Sequence, residues 1–516
     1  MTSNSMFHSL FRRSGVLAVA ALVGVSACKD LDIENPNEPD VRRVLSDPGG
    51  VQAIAGGTLR TWFNTHQDMD AAGTLSTMAD SYTASWNNFN MRIYSSEPRT
   101  SWKNDPAEVA RVAIEHYWYG YYSALSSAND VLTAIRKNNL VITTPANTKM
   151  VETVAQMMQG MTMGELSMNY DSAFIVDENS DVTALTFSHR TAVRDAAVAK
   201  LEAAATLAAA NAFTTPATWT NGTSYSNTQF ARLSRTYAAR VLAYYARSSA
   251  ENTQTAWAKV ATLASGGIST GGAFDFVFTG DNNAYYDEVK AWSNDITTMR
   301  IDTRVARLLD PATQGNPWPD PNGSPQPNSP DKRLGDGSYG EADDLSSITK
   351  KRTANAGTDF AWSGKAIFRA ARGQYHQSNI GHIRYDYASF NDPAGTGGGF
   401  GTVPAISRAE NDLLWAEGLI RSGGSLATAA NLINNTRVNR GGLSPATAGE
   451  GVASLLTKLQ YEQDVELLGL GAIAYYNRRR IDALQPLTPR QMPVPAKELE
   501  VLGKPLYTYG GTSPLQ

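Results

Sequence analysis

The stretch Ser407–Leu443 reads SRAENDLLWAEGLIRSGGSLATAANLINNTRVNRGGL. Apolar residues recur at helical spacing in its first half, at Ala409, Leu413, Ala416 and Ile420. Ser422-Gly423-Gly424 breaks the run, and a second follows with Leu426, Ala429, Ala430 and Ile433, closed by Gly441-Gly442. Positions three and four apart share one helix face, and paired glycines favour a turn. The pattern predicts two amphipathic helices folded back on each other. Such a unit is about as long as one tetratricopeptide (TPR) repeat of about 34 residues.

The same period recurs elsewhere. Helices are expected over Val51–Thr65, Thr74–Ser85, Val109–Lys137, Val151–Tyr170, Ala192–Ala210, Gln229–Arg247, Thr255–Ala264 and Ala453–Gly469, and Ile473–Ile481 includes an Arg cluster, Arg478-Arg479-Arg480. Residues 109–264 and 407–439 together supply about four helical hairpins, each needing neighbours to bury its apolar face. Val151–Tyr170 carries Met157, Met158, Met161, Met163 and Met168. A methionine stripe can be an adaptable binding surface, but at helical spacing it reads as core. Residues 265–406 have another texture, rich in Gly, Pro, Asn and Asp. Within them Pro311–Pro330 holds seven prolines and must be loop. The fold class is therefore mostly α: TPR-like hairpins packed against an irregular, loop-rich part with few short strands.

The 516 residues carry a formal charge of −4. Without Arg12 and Arg13 of the N-terminal segment, 43 of the 45 basic residues face 49 acidic ones, a net −6. That balance argues against nucleic acid, which demands a basic face. Gly15–Ala27 is a 13-residue apolar run following Arg12-Arg13, too short to span a bilayer and ordered like a secretory signal. It closes on V-S-A-C at 25–28, with Cys28 the one cysteine of the chain. A disulfide within the chain is excluded, and so is a cysteine metal site. A small-residue run ending in Cys resembles a bacterial lipobox, in which the cysteine is acylated after cleavage. An ordinary secretory signal with an incidental cysteine is the plainer alternative. The boundaries expected are a signal at 1–27, a polar, Pro-bearing tether at 28–48 and one domain at 49–516.

Several motifs carry a wider resemblance. Ala409-Glu410-x-x-Leu413-x-x-Ala416-Glu417, and I-N-x-x-R-x-x-R-x-G-L at Ile433–Leu443, resemble the C-terminal signature of SusD/RagB-type lipoproteins. L-D-I-x-N-P-N-x-P at Leu31–Pro39, Y-x-x-L-x-x-A-N-D-V-L from Tyr122, Asp331–Leu334 and Pro493-Val494-Pro495-x-x-Glu498 extend the likeness along the chain. Glu462, Glu466, Leu467 and Gly471 match a further family element. Leu470, Ile473 and Tyr476 depart from it, marking a divergent branch that lacks a charge network the family shares. The resemblance implies a non-catalytic, lipid-anchored outer-membrane protein that hands a nutrient to a SusC-like TonB-dependent transporter. It implies an oligosaccharide ligand, with peptides a second option, and no cofactor. It places the ligand surface in the irregular segments, about 62–102 and 265–406, and the transporter on the Ala-rich repeat half.

Chemistry-bearing patterns are weak by comparison. Gly267–Gly271 matches G-x-S-x-G, but a helix precedes it and a strand-like run, Phe274–Phe278, follows, the reverse of a nucleophile elbow. His376 and His382 lie six apart, on no common helical face, and do not suggest catalytic zinc. Asp320-x-Asn322-x-Ser324 begins like a calcium loop, yet Pro325 occupies the position of the required glycine. Gly395–Gly401 lacks the Lys-Ser/Thr of a phosphate loop. Glu410, Glu417 and Arg437 read as a structural salt link across the two signature helices. A pair of hydrolytic carboxylates stays open as an alternative, because separation is not legible in sequence. So does a TPR scaffold that binds only protein. The loop aromatics Trp86, Phe89, Trp292, Trp318 and Trp362 are more informative. A flat ring suits the C–H face of a sugar, and neighbouring amides such as Asn87 and Asn88 can bond its hydroxyls. Trp86, Asn88, Trp292 and Trp318 are the ligand-binding candidates, with ordinary loop packing as the competing role.

Overall fold

The computed structural model describes residues 41–84, 87–293, 299–316, 325–338, 357–362, 376–385 and 400–515. Contacts divide the chain after Asp47. The first unit contains the short helix Val41–Ser46. Among the described residues, the second, Pro48–Gln516, has nine helices of nine residues or more, followed at the C-terminal end by a shorter one that also packs on them. These are α1 (Pro48–His66), α2 (Val112–Arg136), α3 (Pro145–Asn169), α4 (Arg190–Ala210), α5 (Asn227–Tyr244), α6 (Trp257–Ser265), α7 (Arg408–Ser422), α8 (Leu426–Arg437), α9 (Gly451–Val465) and α10 (Ile473–Arg479).

Ser407 caps α7 by accepting the Glu410 N–H at 3.1 Å, and Gly423 closes the helix in the left-handed conformation at φ 76°. Ser425 then caps α8. The Gly turn and the two caps produce the expected hairpin. From α1 to α8 each helix packs along the next. The middle of this stack is α3, buried along its whole length from Met150 to Asn169. The methionines at 157, 158, 161, 163 and 168 are fully buried, so the stripe is core. The stack does not follow the chain without a break. α6 packs directly on α7, although all of residues 266–407 lie between them in sequence.

That intervening segment contributes short antiparallel strand pairs. β1 (Tyr82–Ala84) pairs with β3 (Met299–Ile301), β2 (Phe276–Asp281) with β6 (Phe400–Ile406), and β4 (Phe360–Trp362) with β5 (Ile380–His382). The helix expected over Thr74–Ser85 is cut short. It ends at Met78, because Asp80 takes a left-handed φ of 52° and the chain turns into β1.

Three sequence-distant motifs converge on Arg333. Its guanidinium reaches Asp331, Glu462 at 2.8 Å and Glu466 at 3.1 Å, all of them buried. The Lys332 N–H donates to Gly441 O at the end of α8, and Phe360 N–H to Arg333 O. The Asp331–Leu334 turn thus clamps the loop-rich segment to α8 and α9. Three carboxylates are tolerated there because Arg333 is not their sole partner: Arg440 and Arg384 each stand 2.9 Å from Glu466, so the buried charges are paired. Leu470, Ile473 and Tyr476 are buried, with Tyr476 donating its hydroxyl to Asn169 Oδ1 at 3.0 Å.

The expected link among Glu410, Glu417 and Arg437 is structural but has other partners. Glu410 holds Arg240 at 2.7 Å, and Glu417 holds Arg480 and Arg421 at 2.6 Å each. Arg437 bonds Ser444 O at 2.7 Å and stands 3.7 Å from Glu462. The two glutamates face away from α8, toward α5 and the end of α10.

Candidate functional site

The irregular segments meet where the end of α1 holds residues 284–289. Asn64 donates to Ala284 O at 3.0 Å and accepts from Tyr286 N–H at 3.1 Å. Gln67 donates to Asp287 Oδ2 at 2.8 Å, and its carbonyl accepts from Val289 N–H. Glu288 Oε2 accepts the Met69 N–H at 2.9 Å. These bonds dock the short helix Glu288–Ser293 on the π-helical turn Met69–Gly73. Its fourth residue onward from Glu288 is Trp292, so the two share one helix face.

Trp292 is half-buried, and its ring rests against Phe89 with centroids 5.7 Å apart and planes inclined by 59°. Phe89 sits in the turn Asn88–Asn90 with φ 54°, followed by Asn90 at φ 59°. Left-handed backbone at a bulky residue costs about 1–3 kcal/mol and persists only where its surroundings hold it. Here Thr74 Oγ1 donates to Phe89 O at 3.3 Å. The two rings, one from each irregular segment, thereby form a joint aromatic face. Tyr286 lies beside it. Burial pushes its hydroxyl pKa up, with Glu288 adding to the effect and Trp292 opposing it.

Of the four ligand-binding candidates, Trp292 is therefore in a built aromatic contact, and its partner Phe89 comes from the segment that also carries Trp86 and Asn88. Asn88 opens the 88–90 turn. Trp86 and Trp318 lie outside the described residues, as do Cys28, the Asp320–Ser324 stretch and all but the end of the Gly395–Gly401 loop. The Asn87 side-chain oxygen already accepts the Ile93 N–H at 3.2 Å. Trp362 ends β4 and bonds Gly337 O through its backbone.

Sequence reasoning missed the charged cluster beneath this face. His116 on α2 stands 2.8 Å from Asp68 Oδ2 and 3.6 Å from Asp70 Oδ2. Asp68 also caps the 69–73 turn by accepting Ala71 N–H at 3.1 Å. The bond to Asp68 lifts the His116 pKa to about 9. Burial, reinforced by Asp68 and Asp70, lifts Glu288 to about 7. Asp68, Asp70 and His116 offer ligand atoms within 4.8 Å of one another. A proton on the imidazole competes with a metal for its lone pair, and the raised His116 pKa favours the ion pair with Asp68. Only the short spacing Asp68-x-Asp70 was visible in sequence; the histidine and Glu288 come from distant segments.

The other two histidines singled out are not a pair. His376 bonds Glu97 at 2.8 Å, while His382 is buried against Tyr82 OH at 2.6 Å, and burial drops its pKa to about 3. Gly267–Gly271 falls between α6 and β2, as its flanking pattern indicated. A groove of about 790 Å³ opens on the helical side, lined by α4, by Tyr245 and by the start of α6. Its cations are paired: Arg190 with Glu251, Arg194 with Asp195 and Lys259 with Glu202. Among the described residues no helix is long and apolar enough to cross a membrane.

No family model and no curated protein matches this chain. Solved structures do resemble it. A SusD homologue from Bacteroides thetaiotaomicron superposes with a TM-score of 0.62 over 92% of this chain and 98% of its own, at 12% identity. A SusD-like carbohydrate-binding protein from Bacteroides fragilis gives a TM-score of 0.58 over 85% and 86%, at 14% identity. A SusD homologue from Parabacteroides distasonis gives 0.57 over 84% and 85%, at 10% identity. The fold of this chain, mostly helical with few short strands, is thus that of the SusD-like proteins.

Proposed function

We propose that this chain is a non-catalytic, surface-exposed lipoprotein that binds an oligosaccharide and passes it to a SusC-like TonB-dependent transporter in the outer membrane. The observation that carries the ligand role is the Phe89–Trp292 face, built where two irregular segments meet on a SusD-like fold. One such fold belongs to a protein described as carbohydrate-binding. Trp86, Asn88 and Trp318 are further ligand-binding residues in this proposal. Sugar rings stack on such surfaces by burying C–H faces, with hydroxyls left for polar neighbours. Binding of this kind concentrates ligand at a transporter's mouth without bond cleavage.

Lipidation of Cys28 anchors the chain in the proposal, and residues 28–48 tether it. The Ala-rich side around α4 is assigned to the transporter. A glycan and peptide panel on residues 29–516 tests the ligand role. The expected result is oligosaccharide binding that weakens in Trp292→Ala, without hydrolysis of chromogenic glycosides. Binding confined to peptides transfers the same face to a peptide ligand, and turnover of a glycoside overturns the non-catalytic role.

A further inference from the structure

The helix Glu288–Ser293, which carries Trp292, is fastened by an ion pair sealed from water. Asp287 and Lys290 are each 1% exposed. Asp287 caps the helix, its Oδ1 accepting the Lys290 N–H at 2.9 Å. Its Oδ2 takes the Lys290 ammonium at 2.9 Å and the Gln67 amide at 2.8 Å. The ammonium also donates to Pro404 O in β6 at 3.0 Å. It stands 4.6 Å from the centre of the Tyr385 ring, just beyond β5. Gln67 extends the chain of bonds on the other side, its Oε1 accepting the Gly471 N–H at 2.9 Å ahead of α10. The end of α1, β6 and the residue beyond β5 thus meet on one buried pair of side chains.

A buried ion pair adds little net stability, because the loss of hydration offsets the attraction. What it adds is direction. Each of its hydrogen bonds is met in one geometry, and a buried charge left without its partner is costly. The helix can therefore neither rotate nor slide without stranding Asp287 or Lys290. Trp292 lies two residues beyond Lys290, so the seat of its ring against Phe89 follows from the setting of the pair. We propose that Asp287 and Lys290 are positioning residues of the ligand face: together they fix the rotation of this helix and so hold the Trp292 ring where a ligand meets it. The inference rests on the Phe89–Trp292 face being the ligand site. Neither residue touches the ligand; both act through Trp292.

Fluorine NMR of the full chain labelled with 5-fluorotryptophan reads the ring directly and needs no glycan. The ten tryptophans give ten lines, and Trp292→Phe identifies one of them. In the wild-type chain the Trp292 line should be single and narrow. In Lys290→Met the Asp287 carboxylate is left buried without its cation, and it moves toward water with the helix end it caps. The Trp292 line should then shift or broaden, while those of Trp118 on α2 and Trp257 on α6 stay in place. A purely structural role would lower the denaturation midpoint without singling out Trp292. Asp287→Asn added to Lys290→Met removes the stranded charge and should bring the line back toward its wild-type position. Oligosaccharide affinity should follow the same order, falling in Lys290→Met as in Trp292→Ala and recovering in the double variant. An unmoved Trp292 line in folded Lys290→Met overturns the proposal, and so does a double variant displaced as far as the single one. A wild-type line already split or broadened by exchange overturns it whether or not the variants fold. A line that moves and returns in a chain that binds no oligosaccharide supports the positioning role and removes only the ligand reading.

Discussion

Gly418 on α7 and Ala261 on α6 bring two helix backbones into contact: a Cβ added at 418 would lie 2.7 Å from the Ala261 nitrogen and 2.9 Å from its Cα. These are backbone atoms, which cannot swing aside as a side-chain tip can. In an open helix Gly→Ala gains about 1 kcal/mol of helix propensity. Here overpacking opposes that gain at about 1–3 kcal/mol. Gly418→Ala should therefore be neutral to destabilising and Gly418→Val clearly destabilising, by urea denaturation. A stabilised Gly418→Ala would show that the helices separate at no cost.

Arg333 holds together Asp331, Glu462 and Glu466 in a site with no access to water. Arg333→Ala strips Asp331 and Glu462 of their nearest cation, while Glu466 keeps Arg440 and Arg384 at 2.9 Å each. Removing one partner of a buried ion pair costs about 3–5 kcal/mol. The loss should appear in the denaturation midpoint, and proteolysis should then attack the loop-rich segment before the helices.

Glu417 is buried between Arg480 and Arg421. Burial alone would raise its pKa, but Arg480 first, and then Arg421, hold it down at about 2 from a usual 4.5. A depressed carboxylate stabilises the fold above its unfolded pKa and loses that contribution as pH falls through the folded one. The window is pH 4.5 down to about 2. Arg480→Met should lower stability at pH 7 and flatten its decline across that window. A pH profile parallel to wild type would contradict the assignment.

Trp292→Ala and Phe89→Ala each remove half of the aromatic face. Ring contacts of this kind add about 0.5–1.5 kcal/mol beyond area burial, so affinity for a bound oligosaccharide should fall by up to about tenfold each. Trp86→Ala should act in the same direction. Calorimetry measures the effect, and unchanged circular dichroism separates it from unfolding.

Cys28→Ala should move the protein from the membrane fraction to the soluble one, since acyl chains supply about 0.8 kcal/mol of membrane affinity per buried methylene. Continued retention in the membrane fraction would exclude Cys28 as the anchor.

Most of the helical scaffold was legible because one-sided apolar spacing and Gly or Ser punctuation are local signals. Gly423 and the buried methionines of α3 occupy the roles their spacing indicated. Failures came where a distant partner decides. Tyr82–Ala84 is a strand because Met299–Ile301 lies beside it, which no window around residue 82 contains. Glu410 and Glu417 look like mates of Arg437 from their positions, yet arginines 240 and 480 reach them first. The aromatic candidates were visible as residue types only; their meeting depends on Asn64 and Gln67 capturing a segment more than two hundred residues onward.

The direct seat of α6 on α7 has a consequence for change over time. Both ends of residues 266–407 leave the scaffold side by side, so that segment behaves as a cassette plugged into a fixed socket. Its tips can be exchanged without unseating α6 from α7 so long as the anchors to α1, α8 and α9 are kept, which lets a lineage retune what it captures while the frame that presents it stays constant.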